Sequence, residues 1–218
     1  MRVLILSAHA DDAQVAAGGT IIRMLEEDHE VFYIGFSIAE ESVPEGFPRD
    51  VLDRESRAAC AELTVRDKNV EIKRYKVRRF PDKRQDILDD LIHLRNDVEP
   101  DVVFIPSTSD IHQDHAVLAN EAIRAFRRKC SVYGYDFPWN VLQTSPLHLF
   151  VELTDSHVSR KVRACRCFKS QIEKENNCFS EEYIRALAIE RGNRIGSSYA
   201  EAFEVLRDVR RVGRGAFN

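Results

Sequence analysis

Two short segments of the 218-residue chain concentrate side chains that can hold a cation and move a proton. The first is Ala8-His9-Ala10-Asp11-Asp12, the second Asp110-Ile111-His112-Gln113-Asp114-His115. His9 and Asp12 stand three residues apart, as do His112 and His115, so each pair can share one ion from a single turn. A catalytic zinc takes three protein ligands from His, Asp, Glu or Cys and keeps a fourth position for water. Together the segments can supply a His-Asp-His set and leave one imidazole and one carboxylate over. Metal-bound water ionises near neutrality. A spare carboxylate can take its proton, and a spare imidazole can hold a developing oxyanion or protonate a leaving group. The competing reading is structural, with the Asp pair capping a helix and the imidazoles forming polar surface.

That chemistry requires elements that bring the two segments together. Residues 2–8 (RVLILSA) and 102–106 (VVFIP) are continuous apolar runs, the pattern of parallel strands covered on both faces, and each segment follows one of them. Further strands are expected at 29–36, 70–75 and 147–152. Helical spacing covers 15–27, 50–63, 85–98, 115–128 and 155–168, and the stretches 181–189 and 199–206 also read as helix. Glu99-Pro100-Asp101 closes the helix before it, because proline cannot continue one. Strands alternating with helices of this length predict a single α/β domain over 1–218, doubly wound around a mostly parallel central sheet. In such sheets ligands gather beyond the carboxyl ends of strands where strand order reverses, so the two segments meet if their strands are neighbours there. The longest irregular stretches are expected at 38–49 and 133–144. Gly18-Gly19, inside the first helix, reads as a close-packing site.

Composition narrows the classes. Hydrophobic residues at 44% and charged residues at 31% indicate a globular chain. The balance of 32 basic against 36 acidic side chains, a net charge of -4, argues against nucleic acid as a partner. The basic tail of Arg207, Arg210, Arg211 and Arg214 reads as a solvated helix end. No stretch approaches the ~20 apolar residues of a membrane helix. The first apolar run is too short for a secretory signal, which gives a cytoplasmic expectation. Five irregularly spaced cysteines, with no CxxC pair, read as reduced structural thiols. GxSxG, GxxxxGK[ST] and GxGxxG are absent.

Ala8-His9-Ala10-Asp11-Asp12 followed by Gly18-Gly19-Thr20, and the later His112-Gln113-Asp114-His115, resemble the signatures of the LmbE/PIG-L-like zinc-dependent deacetylases. Phe80-Pro81-Asp82, Ser170-Gln171 and Tyr199-Ala200-Glu201-Ala202-Phe203 are further echoes. Ala10 is the form similar to the bacillithiol-pathway deacetylases, where many other members have Pro. The resemblance implies a Rossmann-like three-layer sandwich and removal of an N-acetyl group from a glucosamine-type sugar. It implies Zn²⁺, or Fe²⁺ or another divalent ion in cells, on His9, Asp12 and His115. It further implies Asp11 as general base, His112 as the stabiliser of the tetrahedral intermediate, Asp114 as the acid that orients His112, and Asp82 as a contact to sugar hydroxyls. Small N-acetylated sugars are the implied partners, and a homo-oligomer is compatible with the family. Relatives often carry Arg three residues before a Glu in the second long helix. Here the Glu is Glu55 and the position holds Leu52, which leaves Arg49 or Arg54 as substitutes.

Overall fold

The centre of the sheet is made by the two apolar runs. Strand β1 (Arg2–His9) buries Val3 to Ala8, and all five residues of β4 (Val102–Pro106) are buried. The computed structural model, which describes residues 1–142, 146–174 and 177–210, pairs these strands in parallel, Val3 opposite Val102 and Ile5 opposite Phe104. The remaining strands are β2 (Glu30–Ser37), β3 (Val70–Ile72), β5 (Ser131–Tyr135), β6 (Leu147–Leu153) and β7 (Tyr199–Arg207). The sheet order is β3-β2-β1-β4-β5-β7-β6. β1 to β5 are parallel in their pairings, while β7 runs antiparallel to both β5 and β6.

Successive side chains of a strand point to opposite faces, and β1 shows the consequence. Val3 and Ile5 enter one apolar core, Leu4 and Leu6 the other. The first core receives Ile21 and Ile22 of α1 (Asp12–Glu26), Leu52 of α2 (Val51–Glu62) and Val158 and Val162 of α5 (Asp155–Cys165). The second receives Leu88 and Leu91 of α3 (Arg84–Val98) and Leu118 and Phe126 of α4 (Gln113–Phe126). Helices, sheet and helices make three layers, the Rossmann-like α/β arrangement. A four-residue helix α6 (Lys169–Ile172) and α7 (Glu181–Asn193) complete the chain before β7. The path runs outward from β1 through β2 to β3, then returns to β4 on the other side of β1. The strand order therefore reverses between β1 and β4.

Some expected elements differ. Residues 199–206 form strand β7 rather than a helix. Ala, Glu and Leu favour a helix locally, but here both edges of the segment pair with strands, and such tertiary pairing overrides propensity. The stretch expected to be irregular from 133 begins inside β5, a strand of only five residues containing Gly134. Gly134 packs closely there, since a Cβ would lie 2.9 Å from Glu204 Oε2 and 3.3 Å from Ser107 Cα. Positions 143 and 144 of the same stretch lie outside the described residues. Arg207 ends a strand, not a helix, and Arg211 and Arg214 also lie outside the described residues. The close packing expected at Gly19 is present: a Cβ would fall 2.4 Å from Leu153 Cδ1.

Candidate metal centre

β1 and β4 end side by side at the reversal point, and the loops that follow them bring the two segments into contact. His9 is the last residue of β1, Asp11 occupies the N-cap position of α1 without a side-chain capping bond, and Asp12 opens the helix. His112 caps α4, and Asp114 and His115 lie in its first turn. His9 Nδ1 is 3.2 Å from His115 Nε2, 3.6 Å separate His9 Nδ1 from Asp12 Oδ1, and 3.4 Å separate His115 Nε2 from Asp12 Oδ2. A tetrahedral Zn²⁺ with N and O ligands at 2.0–2.2 Å sets its ligand atoms about 3.3–3.5 Å apart. The donor triangle therefore fits the edges of such a coordination shell.

Each of the two imidazoles is backed by a carboxylate on its other nitrogen. Asp110 Oδ2 lies 2.7 Å from His115 Nδ1, and Asp114 Oδ2 lies 3.1 Å from His9 Nε2. A ring nitrogen that donates to a carboxylate leaves the opposite nitrogen as a lone pair, so these contacts aim His9 Nδ1 and His115 Nε2 at the common point. The backing carboxylates are themselves held. Asp114 accepts from the amides of Arg78 and Phe80 at 2.6 and 3.3 Å, and Asp110 accepts from the His112 amide at 2.7 Å. Arg78 adopts a positive φ of 63° to present its amide in this way. Asp114 thus meets His9 through its carboxylate and His112 through its main-chain amide.

His112 differs from its neighbours. Its Nδ1 accepts the Asp114 amide proton at 3.2 Å, which caps α4 and leaves Nε2 as the protonated nitrogen. A protonated nitrogen is a hydrogen-bond donor and not a metal ligand. The three rings nevertheless cluster tightly, with one ligand atom from each of His9, His112 and His115 lying within 4.8 Å of the others.

The electrostatics of the cluster favour positive charge at its centre. Burial opposes a proton on His9, but Asp12 and the Asp114 hydrogen bond override it and raise His9 to about 10. Burial likewise opposes charge on His115, yet Asp12 and Asp110 raise it to about 9. Burial would lift Asp12, while His115 and His9 hold it well below the usual carboxylate range. Asp11 goes the other way: burial and the Asp12 charge push it up to about 6. His112 is lowered by burial and by its two cationic neighbours.

The cluster opens onto a cavity of about 280 Å³ lined by Asp11, His112, Phe137, Trp139, Asn140, Gln171, Lys174 and Cys178, among others. Three residues expected at the sugar are not on its wall. Arg54 points outward from α2 and pairs with Asp50 at 3.2 Å, while Leu52 takes the inward position. Arg49 is exposed ahead of the same helix. Asp82 has 65% of its side chain exposed and faces Arg79 at 3.6 Å; in its turn Phe80 is the buried residue. Sequence reasoning gave no role to Asp110, although it stands in the same motif segment. Gln171 carried a signal only as part of the Ser170-Gln171 echo. Buried Glu55 anchors that segment, accepting from the Ser170 amide at 2.9 Å and from its hydroxyl at 2.6 Å.

A parallel sheet with a carboxylate-backed His-Asp-His cluster at its reversal point defines a class of α/β proteins built around a candidate metal site. Residues 4–126, more than half of the sequence, match the family described as PIG-L: GlcNAc-PI de-N-acetylase, and the chain belongs to that family. Among solved structures it is similar to N,N′-diacetylchitobiose deacetylase from Pyrococcus horikoshii, with a TM-score of 0.78 and 22% identity over 94% of this chain and 83% of that one. The zinc-inhibited form of teicoplanin deacetylase Orf2 is similar with a TM-score of 0.73 and 18% identity over 93% and 97% of the two chains. GalB, the 4-carboxy-2-hydroxymuconate hydratase from Pseudomonas putida, has a TM-score of 0.74 and 21% identity over 99% of both. One fold thus carries deacetylases and a hydratase, and the reaction has to be argued from the side chains.

Proposed function

We propose that the protein is a metal-dependent deacetylase that removes the N-acetyl group from a glucosamine-type sugar or sugar conjugate. The observation that carries this reading is the donor triangle of His9, Asp12 and His115 beside a spare carboxylate and a protonated imidazole nitrogen. A Zn²⁺ held by those three residues would polarise the acetyl carbonyl and supply a nucleophile of hydroxide character at neutral pH. Asp11 takes the proton of the attacking water. Its carboxylate lines the cavity beside Asp12, where it can accept that proton and then return it to the departing amine. His112 Nε2–H donates to the carbonyl oxygen as negative charge develops on it. Asp110 and Asp114 fix the tautomers of His115 and His9. The products are acetate and the free amino sugar, with one water consumed. The substrate class is supported by the similar N,N′-diacetylchitobiose deacetylase and by the GlcNAc-PI de-N-acetylase family, both named for N-acetylated sugars.

The test is amine release from a panel of N-acetylglucosaminides, with a non-sugar acetamide as control, by protein stripped of metal and then reloaded with zinc. The reading expects turnover on sugars that disappears on stripping and returns on reloading. Equal rates before and after stripping, or turnover of the acetamide alone, would overturn it.

A further inference from the structure

We infer that Trp139 is a platform for a second pyranose ring of the substrate, next to the N-acetylated one; this rests on the deacetylase reading above. The cavity of about 280 Å³ lies at the lower end of the ~300–1,000 Å³ usual for small-molecule sites. It holds about one sugar ring once the acetamide reaches the imidazoles at its floor. Whatever else the substrate carries must lie on the rim.

Trp139 lines the cavity and is still 49% exposed, so the indole reaches from the site to solvent. Ile111, whose amide meets the Asn140 carbonyl, is also exposed, at 56%. The indole is supported from behind: its ring lies 5.1 Å from Phe137 and 5.6 Å, edge-on, from Tyr183. Phe137 in turn lies 5.5 Å from the His115 ring, so Trp139 stands one ring further out from the metal cluster.

The platform is also fixed relative to the chemistry. The Asn140 amide donates to the Phe137 carbonyl at 2.8 Å, and the Ile111 amide donates to the Asn140 carbonyl at 2.9 Å. An antiparallel bridge joins Val141 to Asp110, the residue that holds His115. The turn bearing Trp139 and the segment bearing His112 and His115 therefore form one unit. The C–H face of a pyranose stacks on an indole, and the Asn140 side chain on the cavity wall offers both donor and acceptor to ring hydroxyls.

The chain contains a single tryptophan, so its tryptophan emission reports this position alone. The experiment compares zinc-loaded parent, Trp139→Ala and Trp139→Phe on the methyl glycoside of N-acetylglucosamine and on N,N′-diacetylchitobiose. In parallel, the emission of the zinc-loaded parent is titrated with chitobiose and with glucosamine. Trp139→Ala is expected to lose about tenfold in kcat/KM on the disaccharide, through KM, and clearly less on the monosaccharide; Trp139→Phe restores most of the loss. Chitobiose shifts the emission saturably and at lower concentration than glucosamine does. An equal loss on both substrates, or emission unmoved by chitobiose, would overturn the inference. If the parent deacetylates neither sugar, the deacetylase reading fails, while the emission titration alone still decides the platform.

Discussion

Two clusters of buried charge in this molecule both involve helix α1, and they differ in where their valences are directed. In one, the Glu201 carboxylate of β7 meets Lys161 Nζ of α5 at 2.6 Å and accepts from the main-chain amides of Gly19 and Thr20 of α1 at 3.0 and 2.7 Å. Every strong group there is answered within the fold. In the other, His9 Nδ1, His115 Nε2 and Asp12 face one another across 3.2 to 3.6 Å, with carboxylates behind the two rings and a cavity in front. The first cluster fastens α5 and β7 to α1, and the second presents lone pairs to a point no side chain fills. Burial of ionisable groups is common to both, so burial does not mark the functional one. Convergence of lone pairs beside an opening does.

The comparison can be broken at several places, and the largest effect belongs to the open cluster. Asp11→Ala should keep its metal and lose about 10²–10⁴ in turnover, measured by amine release alongside metal content. The closed cluster should respond in stability instead. Lys161→Met strands the Glu201 charge and should cost about 3–5 kcal/mol in urea unfolding, with turnover per folded molecule unchanged. The double variant Lys161→Met/Glu201→Gln should recover part of that stability, because both charges are removed together while one of the Gly19 and Thr20 amides loses its acceptor.

A third variant sharpens the boundary between the two behaviours. Asp110→Asn leaves the donor triangle in place but removes the carboxylate behind His115. Metal affinity should fall about 10–100-fold, read by competition with a chelating indicator. That affinity should also rise with pH in the parent, because the protons that the cluster holds on His9 and His115 must leave before an ion can bind. The smallest effect is expected at Arg54→Ala. Its pair with Asp50 is solvent-exposed, worth about 0–1 kcal/mol, and its position off the cavity wall predicts an unchanged KM.

The contrast also accounts for what the sequence made legible. The open cluster was visible because its residues fall in two short motifs, each directly after an apolar run that could only be a buried strand. The neighbouring placement of β1 and β4 stayed conditional in the sequence and is supplied by the strand order of the sheet. The closed cluster was far harder to read: Lys161, Glu201 and the Gly18-Gly19 turn of α1 are distant in sequence, and only the pairing of β7 between β5 and β6 brings them together. The same pairing explains why 199–206 looked helical, since its local propensity says nothing about the two strands that receive it. Trp139 and Gln171 escaped for a related reason. Trp139 stands on a loop and Gln171 on the one-turn helix α6, where position depends on anchors such as the Asp110–Val141 bridge and the Glu55–Ser170 contact rather than on periodicity. Asp82 was carried over from the family resemblance and Arg49 and Arg54 stood in for a missing Arg; Asp82 and Arg54 are directed outward by the burial of Phe80 and Leu52, and Arg49 is exposed ahead of α2.

The most direct test of the central claim is equilibrium dialysis of metal-stripped protein against zinc, for the parent and for His9→Ala/His115→Ala. The account predicts one tightly held ion per parent chain, and none in the double variant even though it remains folded by circular dichroism. Retention of an equally tight ion by the folded double variant would place the metal elsewhere and contradict the account.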